Sequence, residues 1–236
     1  MSENKLAVRV YPLEQPNGST KAFASVTVDD LVAIRGIRII EGDKGLFVSM
    51  PQTKDNKTGE YRDIAFPLIG DLRKEISKDI MAEYDRVTVL PPEQRIYGTP
   101  ERDVANGKNI DTIGITLQVY PLSEPKGNTK AFASISINDS IGIRGIRIVE
   151  GDKGLFVAMP QSKDKENNYH DVAFPVSGDL RKKISQSIIQ EYQSDKSIDT
   201  KKSLNERLAD GAAKAALTPT VDKSMIAAKS QANMIS

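Results

Sequence analysis

Seventeen residues occur twice in this chain. RGIRIIEGDKGLFVSMP spans Arg35 to Pro51 and RGIRIVEGDKGLFVAMP spans Arg144 to Pro160, with Ile40 replaced by Val149 and Ser49 by Ala158. The likeness extends further: Val10–Asp55 matches Val119–Asp164 at 32 of 46 positions. Two copies do not make a solenoid, which needs three or more units to bury a continuous core. The 236 residues suffice for two ordinary domains, so the chain reads as a duplicated domain.

Just past Lys54 the copies lose register by one residue. PQTKDNKTGEYRDIAFP (51–67) stands against PQSKDKENNYHDVAFP (160–175). A one-residue slip inside a strand turns its core face outward, so a length change belongs in a loop. Residues 52–60 and 161–168 are expected to be loops.

Strand patterning surrounds them. KLAVRVYPL (5–13) reads as a strand that Pro12 ends or marks as an edge, and EQPNGST as a turn. In KAFASVTV (21–28), Ala22, Ala24, Val26 and Val28 fall on one face. Asp29-Asp30 turns the chain into LVAIRGIRII (31–40), where Gly36 suggests a bulge or close backbone packing. GDKG (42–45) has turn chemistry, with the strands LFVSM and YRDIAF after it. The period then changes. Leu72, Ile76, Ile80 and Tyr84 lie four apart, as do Leu180, Ile184, Ile188 and Tyr192, giving each copy one apolar helical stripe. Pro67 and Asp71 suit the helix entrance. The expected fold is α+β: two similar domains over 5–87 and 114–193, each an antiparallel β-sheet with one C-terminal α-helix. A Pro- and Gly-containing linker covers 88–113. The tail, 194–236, has helix-forming composition broken by Gly211 and Pro219. It is expected to be partly disordered or helical, either loosely docked or a partner-binding helix.

Composition removes several kinds of chemistry. The chain has no cysteine and a single histidine, His170, with Arg62 in the matching place of the first copy. Disulfides, thiol chemistry and a Cys-His or duplicated Ser-His-Asp device are therefore out. GDKG leads into a strand and lacks the GxxxxGK[ST] frame, so it is no phosphate loop. Asp29-Asp30 is two adjacent carboxylates, which do not make a cation site, and the second copy has Asn138-Asp139. No nucleotide, haem or zinc signature occurs, so no catalytic residue, metal or cofactor is expected. The opening MSENKLAVRV has no apolar stretch long enough for a signal peptide, and no run approaches a membrane span. A soluble, cytoplasmic protein without membrane contact is expected.

The net charge of +1 gives no global field to attract nucleic acid, so any such contact must be local. Lys54 and Lys163 open the variable loops, Lys57 and Lys165 follow, and Arg62 and His170 occupy the next strand. Arg73-Lys74 and Arg181-Lys182-Lys183 lie in the first helical turns. This set could contact phosphates. The bland alternative is a solvated charged surface, because Asp55, Glu60, Asp63, Asp71 and Glu75 interleave with it. Arg35, Arg38, Arg144 and Arg147 lie on strands, where ion pairing or snorkelling is the expected role.

At IRIIEGDKGLFVSMP and EYRDIAFP the sequence resembles the SpoVG family, the stage V sporulation or septation regulators of bacteria. Both copies carry the series nearly end to end: ASVTVDD, IRIIEG, GLFVSMP, YRDIAFP and AEY, then ASISIND, IRIVEG, GLFVAMP, YHDVAFP and QEY. The resemblance implies a small sheet domain with a C-terminal helix that dimerises through strands. It also implies DNA binding, and RNA binding in some members, with regulatory rather than enzymatic effect. In the family the loop after Met-Pro usually carries two adjacent basic residues implicated in nucleic-acid contact. Here the pairs are Thr53-Lys54 and Ser162-Lys163, so each copy keeps one charge. Family members commonly have His where Phe66 and Phe174 stand.

If one unit dimerises through strand edges, two tethered units can form that dimer internally, since a linker of about 25 residues raises the effective concentration toward millimolar. An intramolecular pseudo-dimer in a monomeric chain is expected. Two functions follow. One is a regulator binding DNA or RNA through loops and helix starts. The other is a protein-interaction module on the same scaffold, with weak or lost nucleic-acid binding and the tail as partner contact.

Overall fold

The computed structural model describes residues 5–55, 58–95, 110–163 and 166–194. In the first repeat, β1 (Leu6–Asn17) and β2 (Thr20–Val28) form a hairpin closed by Gly18–Ser19, with Gly18 at φ 60°. The strand thus runs through the EQPN stretch read above as a turn. Pairing is irregular between Pro12 and Asn17, where Pro12 and Pro16 lack the N–H a ladder needs. Asp29 and Asp30 then take φ of 53° and 55°, and Leu31 N–H donates to the Val28 carbonyl at 2.9 Å. Consecutive positive φ angles make the tight hairpin turn that Asp and Asn tolerate, and Asn138-Asp139 does the same at 49° each.

β3 (Val32–Gly42) carries the expected bulge. Ala24 faces Ile37 and Val26 faces Ile34, so Ser25 opposes two residues, with Gly36 at φ 72°. β4 (Gly45–Ser49) returns antiparallel to β3 through the Asp43–Lys44 turn. Next come β5 (Gln52–Lys54) and β6 (Tyr61–Asp63), a small separate hairpin. The expected loop therefore begins as strand: residues 52–54 are paired, and the length difference between repeats is confined to the tip beyond Lys54–Tyr61. Gln-Thr-Lys gave no strand pattern because all three side chains are exposed.

The chain then crosses over. β7 (Ala65–Pro67) and α1 (Gly70–Thr88) complete the first repeat. The second repeats the order as β8 (Ile115–Lys126), β9 (Thr129–Ile137), β10 (Ile141–Gly151), β11 (Gly154–Ala158), β12 (Gln161–Lys163), β13 (Tyr169–Asp171) and β14 (Ala173–Pro175), with helix α2 over 178–194. β7 does not pair within its own repeat. Ala65, Phe66 and Pro67 lie opposite Ile143, Gly142 and Ile141 of β10. The ladder extends through Arg144 N–H to the Ile64 carbonyl at 2.7 Å and Leu68 N–H to the Ser140 carbonyl at 2.8 Å. β14 reciprocates on β3: Ala173, Phe174 and Pro175 face Ile34, Ala33 and Val32, flanked by Arg35 N–H to the Val172 carbonyl and Val176 N–H to the Leu31 carbonyl. YRDIAF is accordingly two strands, one serving its own hairpin and one the other repeat.

Among the described residues, each repeat builds a five-stranded sheet, four strands its own and one exchanged. β3 is long enough to pair with β4 along its C-terminal half and β14 along its N-terminal half. An edge that would otherwise be open is thereby covered. α1 packs on β1, β2 and β4 through Leu72, Ile76 and Ile80, with Val87 extending the buried stripe. α2 buries Leu180, Ile184, Ile188 and Tyr192. The core joins side chains of both repeats, as an intramolecular pseudo-dimer requires. α1 has no side-chain cap, whereas Ser177 Oγ accepts Leu180 N–H at 3.0 Å and caps α2. Of the linker, Pro92–Gln94 and Ile110–Thr112 form single 3-10 turns; 96–109 and the tail from 195 lie outside the described residues. No described helix is long and apolar enough to cross a membrane.

Candidate nucleic-acid interface

The exchange determines where the basic hairpins stand. Each hairpin immediately precedes an exchanged strand, and the first is thereby carried onto the sheet of the second repeat. Thr53, Asp55 and Arg62 of the first hairpin therefore line a 640 Å³ cleft together with Tyr120, Phe132, Arg144 and Arg147 from the sheet of the second repeat. Gln161 and Tyr169 of the second hairpin complete its rim. The length difference between the hairpins is one source of unlikeness between the two sides of the pseudo-dimer.

Among the residues predicted for this site, Lys54 and Lys163 are exposed on β5 and β12, each beside an exposed tyrosine across its hairpin. Lys54 Nζ is 6.0 Å from the Tyr61 ring centre, and Lys163 Nζ is 4.9 Å from that of Tyr169. Arg62 lies 3.5 Å from Glu60 and 3.9 Å from Asp55. His170 is exposed opposite Ser162. Lys57 and Lys165 lie outside the described residues. Lys182 is exposed, and Lys74 pairs with Asp71 at 3.0 Å on the open helix surface.

The helix-start arginines are paired with carboxylates. Arg73 donates to Asp63 at 2.7 Å while Gln52 Nε2 donates to the other oxygen of that carboxylate at 2.8 Å. Arg181, Asp171 and Gln161 repeat the arrangement at 3.1 and 2.9 Å. Asp63 and Asp171 thus tie each hairpin to the start of its helix. Lys183 Nζ donates to the Ile110 carbonyl at 2.6 Å, away from the hairpins.

The strand arginines divide into two pairs. The Arg35 guanidinium sits 4.7 Å from the Phe174 ring centre and that of Arg144 sits 4.4 Å from Phe66. Each stacks on the exchanged strand of the other repeat, a contact worth about 0.5–1 kcal/mol where exposed. Phe66 and Phe174 therefore help fasten the exchange. Of the two roles expected for Arg38 and Arg147, ion pairing is not seen among the described residues, while their half-buried state fits snorkelling. One arginine and one lysine side chain outside the cleft are shifted by a neighbouring glutamate. Hydrogen bonding by Glu83 raises Arg86, and hydrogen bonding by Glu150 raises Lys130.

Sequence reasoning passed over the exposed aromatics. Tyr11 faces Phe23, which faces Arg38; Tyr120, Phe132 and Arg147 repeat the row. Their signal was present in the alternation, since inward Ala22 and Ala24 force Phe23 outward.

These features define a tandem α+β protein whose halves are interlocked by strand exchange and share a basic, aromatic-lined cleft. The SpoVG family profile matches residues 4–86 and 114–194, both repeats, and the chain belongs to that family. Among its relatives is "Putative septation protein SpoVG" of Staphylococcus aureus strain MRSA252, 42% identical over 80 residues, covering 34% of this chain and 79% of the relative. Proteins of the same name from Staphylococcus carnosus, 42% identical over 80 residues (34% of this chain, 74% of the relative), and Staphylococcus epidermidis, 41% over 92 residues (39% and 89%), are similar. Each alignment is about as long as one repeat.

Proposed function

We propose that the chain is a non-enzymatic regulator, acting in the cytoplasm, that binds DNA or RNA through its paired hairpins. The observation that supports this most is convergence: Arg62 of one hairpin and Tyr169 of the other line one cleft. Lys54 and Lys163 add a cation beside an exposed tyrosine on each hairpin. Cations contact phosphates, and aromatic faces stack on bases. The relatives' name suggests septation as the process served. Ion pairing of Arg62, Arg73 and Arg181 to neighbouring carboxylates supports the second reading, a protein-interaction module with the tail as contact.

Titration of labelled duplex DNA and single-stranded RNA at low and moderate salt tests the proposal. Affinity should fall with salt and drop in the Lys54→Ala/Lys163→Ala variant. A folded protein that binds neither at low salt would overturn it in favour of the protein module.

A further inference from the structure

We infer that the outer faces of the two sheets are stacking platforms for unpaired nucleic-acid bases, each built on a Tyr–Phe–Arg row. This rests on the nucleic-acid reading above and adds to it the strandedness of the ligand and the place where bases lie.

Register creates the rows. Val8 and Val10 face the helix side, so Tyr11 points outward, and directly opposite on β2 lies Phe23. Phe23 in turn lies opposite Arg38 on β3. Directly opposed side chains on neighbouring strands have their Cβ atoms about 5 Å apart. Two aromatic rings and a guanidinium therefore sit side by side on a rigid surface. Tyr120, Phe132 and Arg147 form the twin row. All four rings are substantially exposed, between 38% and 51%. Large apolar side chains that serve the core are not left so open, and here the core side of each sheet is already filled by isoleucine, valine and alanine.

Arg38 and Arg147 carry the argument from stacking to nucleic acid. Each is partly buried, yet neither guanidinium has an ion pair or side-chain hydrogen bond with another described residue. A partly desolvated cation at the end of a row of two rings is complementary to an anion attached to a flat, stackable group, which is what a nucleotide is. The second row forms the floor of the 640 Å³ cleft, and Arg62 and Arg144 also line it. Of the two carboxylates there, Asp63 is already neutralised by Arg73 at 2.7 Å. Around the first row a 310 Å³ recess is lined by Arg9, Tyr11, Phe23 and Arg35. Bases reach such a sheet face only when unpaired; a duplex presents phosphates and groove edges instead.

The test uses the full chain and one fluorescein-labelled 20-mer, offered as single-stranded DNA, single-stranded RNA and duplex DNA at low salt. The proteins are wild type, Phe23→Ala/Phe132→Ala, Phe23→Tyr/Phe132→Tyr, Arg38→Gln/Arg147→Gln and Lys54→Ala/Lys163→Ala, each checked for an unchanged circular dichroism spectrum. Single strands should bind more tightly than duplex. The alanine pair should lose about five- to 150-fold for each stacked base, and the tyrosine pair should keep its affinity. The arginine pair should lose affinity and show a shallower salt dependence. If instead duplex binds as well as single strands, the alanine and arginine pairs match wild type and only the lysine pair is weakened, the platform is wrong while the broader reading stands. If no nucleic acid binds the folded wild type, both fail.

Discussion

Leu68→Pro is a lesion in the first repeat that should be felt in the second. The Leu68 side chain is 47% exposed, so little of the core depends on it. Its N–H, however, donates to the Ser140 carbonyl at 2.8 Å and closes the exchanged ladder. Proline deletes that donor, and the preceding Pro67 is already extended, as a residue before proline must be. One backbone hydrogen bond contributes about 0.5–1.5 kcal/mol net. For a folded unit of this size that lowers the melting temperature by about 1–6 °C. Native-state hydrogen exchange reads the location. Amides of residues 141–144 should exchange about two- to 13-fold faster, the factor that same free energy implies, while those of 32–35 stay as in wild type. Leu68→Ala controls for loss of the side chain and should change neither segment. Faster exchange at 32–35 with 141–144 unaffected would mean that β7 pairs within its own repeat and would refute the exchange.

Ser177→Ala should cost about 0.5–2 kcal/mol by removing the α2 cap, and Ile69→Ser should stabilise α1 by a similar amount, both measured by urea denaturation; equal and negligible effects would mean the cap is not formed. Arg73→Ala should change global stability by less than about 1 kcal/mol, because the pair with Asp63 is exposed, yet speed exchange across residues 52–63. A large drop in melting temperature with a protected hairpin would contradict the tether. Light scattering at low micromolar concentration should give the mass of one chain, 25.9 kDa; twice that mass would count against internal closure.

Much of this architecture is legible in the residues. The period-two alternation of KAFASVTV and the four-residue spacing of Leu72, Ile76 and Ile80 specify a sheet and a helix, and the duplication itself points to pairing of like with like. The exchange is harder to see for a physical reason. β7 is only three residues, AFP, and the two edges open to it, in β3 and β10, carry nearly the same sequence. Local preference cannot choose between equivalent edges; the course of the chain after Asp63 does. Gln52–Lys54 gave no strand signal because neither face is buried. At the candidate site the cationic hairpins are visible in the sequence, whereas the pairing of the helix-start arginines with Asp63 and Asp171 depends on how the hairpin folds back on the helix. The Tyr–Phe–Arg rows needed cross-strand register, which no single strand contains.

A cysteine-free chain offers a direct test of interlocked repeats. In Leu68→Cys/Ser140→Cys, the two new thiols would occupy opposed ends of the β7–β10 ladder, where opposed Cα atoms lie within the span a disulfide bridges. Mild oxidation of the dilute protein, read by intact mass and by mapping the bridged peptides, should give a 68–140 bond in a product of single-chain mass. Covalent dimers would mean the strands are exchanged between chains, and free thiols in the folded protein would mean they are not exchanged at all.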